Sequence, residues 1–197
     1  SKPPTMVGVD LSVRDDFSTV TYNLYSVDSR SFHSYTDYYF PDGALEKHPN
    51  CELYKGWVKA GYLKLCKGDI IDYQQIVDDI LKMANYLCIM GIGYDPYKSA
   101  EFVNLLSSSV GGEADIINPV KQTYGTFTSP VESFEIAIYS NKISFDPNPI
   151  TPYCFANAIL DEDRNCNKKP IKKTHNAKID STITNLMTFH LFNNLTS

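Results

Sequence analysis

The chain has 197 residues, of which 43% are hydrophobic and 21% charged, with 10 glycines and 11 prolines. This composition excludes collagen-like and low-complexity classes, and a chain this long buries roughly 70% of its unfolded surface without needing a disulfide or metal to fold. One domain is expected over residues 1–197, and the net charge of −5 argues against a generally basic nucleic-acid coat.

Three β-rich runs open the chain: Thr5–Val13, Phe17–Val27 and Ser31–Phe40. Short turns at Arg14-Asp15-Asp16 and Asp28-Ser29-Arg30 join them, which predicts an antiparallel meander. Pro41-Asp42-Gly43 ends it. Short helices around Leu45, Leu53 and Trp57 are expected up to Gly61, then a short strand at Tyr62–Cys66. The next segment has the best helical spacing in the chain. Asp72 can cap it, and Tyr73, Ile76, Val77, Ile80, Leu81, Ala84, Leu87 and Cys88 recur at i, i+3, i+4, i+7. Gly91 closes it, and Ile92-Gly93-Tyr94 reads as a short buried strand. Pro96 suits the start of a helix over Tyr97–Leu106. Further expectations are a strand at Ala114–Ile117, a helix over 131–142, a strand at Ile143–Phe145 and a helix over Pro152–Leu160. A basic hairpin or flap follows over 161–177, then a final helix, Lys178–Asn193, and a tail at 194–197. Three antiparallel strands followed by β-α-β units imply an α/β fold, a mixed sheet with helices on it.

Charge is unevenly spread. Residues 1–150 hold 12 Lys/Arg and 19 Asp/Glu, whereas 151–197 hold 6 and 4. All six of those bases lie between Arg164 and Lys178, with no acid among them, so the segment can contact a polyanion locally. The five cysteines contain no C-x-x-C pair, which predicts neither a zinc site nor a disulfide framework and suits reduced, mostly buried thiols. No apolar run approaches the ~20 residues of a membrane span. The opening Ser1-Lys2-Pro3-Pro4 resembles a linker or cloning remnant rather than a signal peptide.

Three acids stand out. Asp10 interrupts the apolar run Val7-Gly8-Val9-Asp10-Leu11, and Asp95 ends Ile92-Gly93-Tyr94. A carboxylate in such a place needs a partner or a cation. Asp180 falls in the first turn of the last helix, where the dipole favours negative charge. Each also has an ordinary role open to it: Asp10 as a turn anchor through Ser12 or Arg14, Asp95 as a helix cap, Asp180 as a helix-end charge. If the strands bearing Asp10 and Asp95 are neighbours, a helix N-terminus packed on their face brings Asp180 to them. Clustered carboxylates need compensation, and Mg²⁺ or Mn²⁺ suits hard oxygen donors. Two such ions about 3.5–4 Å apart can promote phosphodiester hydrolysis.

An ordered set of segments then resembles a known family. These are Gly8-Val9-Asp10-Leu11-Ser12 followed by Asp16 and a hairpin; Gly93-Tyr94-Asp95-Pro96-Tyr97; Asn118-Pro119-Val120-Lys121-Gln122; Pro147-Asn148-Pro149 with Asn157-Ala158; and Lys178-Ile179-Asp180. The chain resembles the C-terminal nuclease domain of tailed-phage (or prophage) terminase large subunits. The resemblance implies a ribonuclease H-like fold and a two-metal endonuclease cutting double-stranded DNA during genome packaging. Asp10, Asp95 and Asp180 would be its metal-binding, catalytic acids, with Asp10 shared between two Mg²⁺ or Mn²⁺ ions. Asp16 is a further acidic position, or simply a turn residue. Implied partners are DNA, the packaging ATPase domain, the portal and the small terminase subunit, in the cytoplasm of a bacterial host. No G-x-x-x-x-G-K-S/T loop occurs, so no ATP site is expected here.

Backbone contacts to DNA come from lysine and arginine without reading sequence. Lys168, Lys169, Lys172, Lys173 and Lys178, with Lys121, are the expected contacts. Two other readings stand beside the nuclease. The domain could be a non-catalytic module docking DNA or the portal. Gly8-Val9-Asp10-Leu11-Ser12 also resembles the first phosphate loop of the actin and sugar-kinase group, although the second Asp-Gly-rich hairpin and the adenosine motif of that group are missing.

Overall fold

The computed structural model describes residues 1–195, and for residues 112–114 the backbone alone. A mixed sheet forms its centre. Strands β1 (Pro4–Asp10), β2 (Ser18–Ser26) and β3 (Ser31–Pro41) build the expected antiparallel meander. On the far side of β1 the parallel strand β5 (Cys88–Tyr94) is added, and then β6 (Ile117–Pro119). On the other flank β3 pairs in parallel with β4 (Leu63–Cys66) near its end and with β7 (Ile143–Phe145) near its start. The order is β4-β3-β2-β1-β5-β6.

Helices cover both faces. Helix α3 (Tyr73–Met83) buries Ile76, Val77 and Ile80 against one face together with Phe102 and Leu106 of α4 (Ala100–Val110), where they meet Val7, Val9, Val20 and Tyr22. Asp72 caps α3 as its position suggested, accepting from the Gln74 and Gln75 amides at 3.0 and 3.4 Å. On the opposite face lies α7 (Asp180–Leu195), with α5 (Tyr124–Tyr139) beside it. Short helices α1 (Asp42–Leu45), α2 (Cys51–Lys59) and α6 (Ile150–Ala156) enclose Phe17, Tyr38, Phe40 and Tyr54 at one end. A separate hairpin pairs β8 (Ala158–Glu162) with β9 (Lys168–Lys172).

Alternation along β1 and β5 decides what α7 meets. Val7 and Val9 point to α3 and α4, so Gly8 and Asp10 point to α7. Gly8 and Gly93 are register partners across the two strands and make a trough for the helix. A Cβ on Gly8 would sit 2.3 Å from the Thr184 carbonyl oxygen, and one on Gly93 2.9 Å from Val120 Cγ2. Polar contacts also hold α7 to the sheet: Thr184 Oγ1 lies 2.7 Å from Thr21 Oγ1, Asn23 donates to Thr188 Oγ1 at 3.1 Å, and Ser34 donates to Asn185 at 2.7 Å.

Several elements differ from expectation. β1 stops at Asp10 rather than Val13, because Ser12 turns out of the strand and its amide and carbonyl both bond the Ser18 hydroxyl at 2.9 Å. α3 stops at Met83, and Leu87 and Cys88 leave the helical stripe: the Leu87 amide still bonds Met83, but Cys88 opens β5. The helix after Pro96 begins at Ala100 instead of Tyr97, because the Tyr97 amide is drawn to the Asp95 side chain and Lys98 is left-handed at φ 54°. A 3₁₀ turn over Gly111–Ile116 replaces most of the Ala114–Ile117 strand, which shifts to Ile117–Pro119. α5 starts at the Thr123 cap and carries Pro130 within it, where proline ordinarily marks a boundary. The expected Pro152–Leu160 helix ends at Ala156, and Ala158–Leu160 turns instead into the hairpin. The hairpin thus spans 158–172, not 161–177. Asn194 and Leu195 of the expected tail continue α7, and 196–197 lie outside the described residues. All five cysteines are free, but Cys88 and Cys166 are exposed and Cys51 is half-buried, so the thiols are not mostly buried.

Candidate active site

A cleft of about 530 Å³ opens where β1 ends and α7 begins. Asp10, the Leu11–Asp16 loop, Gln122, Lys172, Ile179 and Asp180 line it, and Tyr73, Tyr97 and Lys98 form its far wall. Ion-binding chemistry accumulates at strand ends because side chains there emerge from the sheet with their backbone already paired. The β1–β5 ladder pairs Val9 with Tyr94, so Asp10 and Asp95 leave their strands side by side, and α7 delivers Asp180 from above.

The electrostatics show that these acids feel one another. Burial pushes the Asp10 carboxyl well above the usual carboxylate range, and the charges of Asp180, Asp95 and Asp16 push it further. Asp180 is pushed up to about 7, first by burial and then by Asp16, against the opposing pull of Lys172 and Lys178. Asp180 Oδ2 is buried and has no hydrogen-bond partner among the described residues.

Asp95 is held differently. Its Oδ1 accepts from the Tyr97 amide at 2.9 Å, and its Oδ2 accepts from Gln122 Nε2. The helix-cap role open to it is not the one it takes: it closes a turn at Tyr97, and α4 begins only at Ala100. Among the described residues no three His, Cys, Asp or Glu side chains are gathered tightly enough to hold one ion as they stand. Asp10 and Asp180 line the cleft together, whereas Asp95 stands at the end of the neighbouring strand and is not among the lining residues. Half-buried, mutually repelling carboxylates with one unpartnered oxygen are nonetheless the donor set that a hard divalent cation fits.

Of the lysines read from the sequence, two reach the acids. Lys178 donates to Asp16 Oδ1, and Lys172 lies 3.9 Å from Asp16 Oδ2. Asp16 therefore sits between two cations, and its amide bonds Ser12 Oγ at 3.1 Å within the loop. Lys172 is 40% exposed and faces the cleft, whereas Lys178 is mostly buried at 13%. Lys169 lies over the Tyr124 ring, 4.6 Å from its centroid. Lys121 and Lys173 are exposed, Lys168 is half-buried, and none of the three lines the cleft. Arg14, Tyr97, Lys98 and Gln122 line it without having been singled out. Their signal was adjacency: each lies within a few residues of an acid or inside a quoted segment.

A model of the terminase large subunit, endonuclease domain, matches residues 4–194. The chain belongs to this family. The fold agrees: the HK97 bacteriophage large terminase superimposes with a TM-score of 0.85 at 19% identity, over 97% of this chain and 40% of that one. The g2p large terminase nuclease domain of bacteriophage SPP1 with bound Mn gives 0.56 at 10% identity, over 96% and 86%. The large terminase nuclease of thermophilic phage G20c with bound magnesium gives 0.60 at 6%, over 95% and 80%. Protein YmfN of Escherichia coli K12 is 28% identical over 173 residues, 84% of this chain and 36% of that protein. The terminase nuclease domain described here thus spans little more than a third of this curated relative. Its mixed sheet and flanking helices are the ribonuclease H-like arrangement.

Proposed function

We propose that this terminase nuclease domain is a metal-dependent endonuclease that cuts double-stranded DNA during phage genome packaging. Asp10, Asp95 and Asp180 would hold the two Mg²⁺ or Mn²⁺ ions of this reading. Bound divalent cations supply Lewis acidity at the phosphoryl group and lower the pKa of a water nucleophile. The observation that carries the reading is the unpartnered, buried Oδ2 of Asp180 beside Asp10, whose ionised form is disfavoured by burial and by the neighbouring acids. Family membership supports it, as do the Mn and the magnesium bound in two fold relatives.

The remaining residues bind and orient. Lys172 on one wall and Arg14 and Lys98 on the others offer cations to the phosphodiester backbone. Asp16 keeps Lys172 and Lys178 over the acids. The hairpin carries Lys168 and Lys169, and Lys173 follows it; all three lie outside the cleft lining, where they extend the DNA-binding face. The packaging ATPase domain, the portal and the small terminase subunit are proposed partners, and the host cytoplasm the proposed location.

Plasmid nicking tests this. Purified chain with Mn²⁺ or Mg²⁺ is expected to convert supercoiled plasmid to nicked and linear forms, and Asp10→Asn to abolish it. Intact plasmid in both metals refutes the catalytic reading. One observation favours the docking module instead: Asp95 is already engaged by Gln122 and the Tyr97 amide. On that reading calorimetry finds no Mn²⁺ binding.

A further inference from the structure

The segment Asn118-Pro119-Val120-Lys121-Gln122 has no role in the mechanism above, yet it runs straight into the cleft. β6 pairs in parallel with β5, Gly93 with Asn118 and Tyr94 with Pro119. Past the strand the contact continues, with the Val120 amide donating to the Tyr94 carbonyl at 2.7 Å. Val120 is buried against Gly93. The chain is therefore fixed alongside β5 up to its last residue, and two residues later Gln122 stands level with Asp95. Gln122 is half-buried and lines the cleft, and its Nε2 donates to Asp95 Oδ2. The Tyr97 amide occupies the other oxygen.

A carboxylate has about four lone-pair sites on its two oxygens. One donor on each oxygen fixes the plane of the Asp95 carboxylate and leaves sites free for a cation. Gln122 is neutral, so it orients Asp95 without neutralising it, as a lysine there would. Carboxylates that ligate metals are typically held by such outer hydrogen bonds. The geometry points to Gln122 as a positioning residue: it acts through Asp95, setting the orientation in which that acid takes a divalent cation. The inference rests on the reading of the cleft as a cation site.

Mn²⁺ calorimetry on the full chain tests it, with melting temperature as the control for folding. Gln122→Ala is expected to weaken Mn²⁺ binding about 10–100-fold while leaving the metal-free melting temperature close to that of wild type. Gln122→Met keeps the length but loses the donor without adding a charged ligand, and is expected to weaken binding as well. In an Asp95→Ala background Gln122→Ala is expected to add nothing, because its route is gone. Wild-type affinity in either Gln122 variant overturns the inference, as does an undiminished Gln122→Ala effect in the Asp95→Ala background. If Asp95→Ala binds Mn²⁺ normally while Asp10→Ala does not, Gln122 has no ligand to position, and the inference fails although the cleft still binds the ion. If the wild type binds no Mn²⁺, this inference and the catalytic reading fall together.

Discussion

Replacing Gly8 with alanine tests whether the height of α7 above the sheet sets the cleft. The added Cβ would lie 2.3 Å from the Thr184 carbonyl oxygen and 3.2 Å from Met187 Cβ. Carbon–oxygen contacts settle near about 3.3 Å, so strand or helix must give by about 1 Å. The obstacle is helix backbone rather than a flexible side chain, and Thr184 is bonded beneath to Thr21. Overpacking of this kind costs about 1–3 kcal/mol, which for a chain of this size lowers the melting temperature by about 2–12 °C. Asp180 is one helical turn from Thr184, so the displacement is passed to it. A misplacement of about 1 Å at a reacting centre can cost about 10²-fold in rate. The assay is plasmid nicking in Mn²⁺ at a temperature well below the variant's melting point, so that unfolding does not enter. A Gly8→Ala protein that melts lower but cuts at the wild-type rate would refute the idea that helix height governs the acids. One that melts like wild type would refute the packing argument itself.

Two more expectations follow from charge. Asp180, raised to about 7, and Asp10, also raised, hold protons in the native state that the unfolded chain releases from about pH 4 upward. The native state binds more protons across that window, so without metal its stability falls as pH climbs toward 7. Melting temperature in EDTA is expected to drop from pH 5 to pH 8, and Asp180→Asn to flatten the drop. Mn²⁺ should recover most at the high end, since ligands must be deprotonated to bind. A melting temperature rising with pH in EDTA would contradict this. Away from the cleft, Lys64 bridges the buried Asp37 and the half-buried Asp79, 3.3 Å from each. Lys64→Ala is expected to cost about 1–3 kcal/mol in urea unfolding, less than a fully buried pair because the lysine is 40% exposed. Asp37→Asn in the same chain should restore part of it, and a loss below about 0.5 kcal/mol would show that the bridge is not stabilising.

What could be read from the residues depended on how local the cause was. Asp10 and Asp95 were legible because each breaks an apolar strand, and strand alternation is a local property. The α3 cap was legible for the same reason: Asp72 and its two amides lie within three residues. Asp16 was ambiguous, since it is both a loop residue and the anchor for Lys172 and Lys178, which arrive from over 150 residues away. The hairpin was misplaced because Ala158–Leu160 is apolar enough to continue a helix, whereas its pairing with Pro170–Lys172 is a tertiary event. Pro130 concealed the first turns of α5, because the cost of a proline inside a helix is offset here by the burial of Phe127, Pro130 and Val131. Gln122 belonged to a quoted segment, but nothing in its neighbours shows that β6 aims it at Asp95.

The threonine, serine and asparagine pairs beneath α7 have a consequence for the acid that this helix carries at its first turn. Apolar ridges tolerate sliding, but a hydroxyl or amide matched to a single counterpart does not. Shifting the helix by one residue would break the Asn23–Thr188 and Ser34–Asn185 bonds and leave Thr21 with Thr36 alone, at about 1–3 kcal/mol for each group left without a partner. The helix is keyed to the sheet like a toothed rack. Its acidic tip is therefore held in place by the scaffold before any ion arrives, so the repulsion at the cleft is borne by the fold rather than relieved by drift.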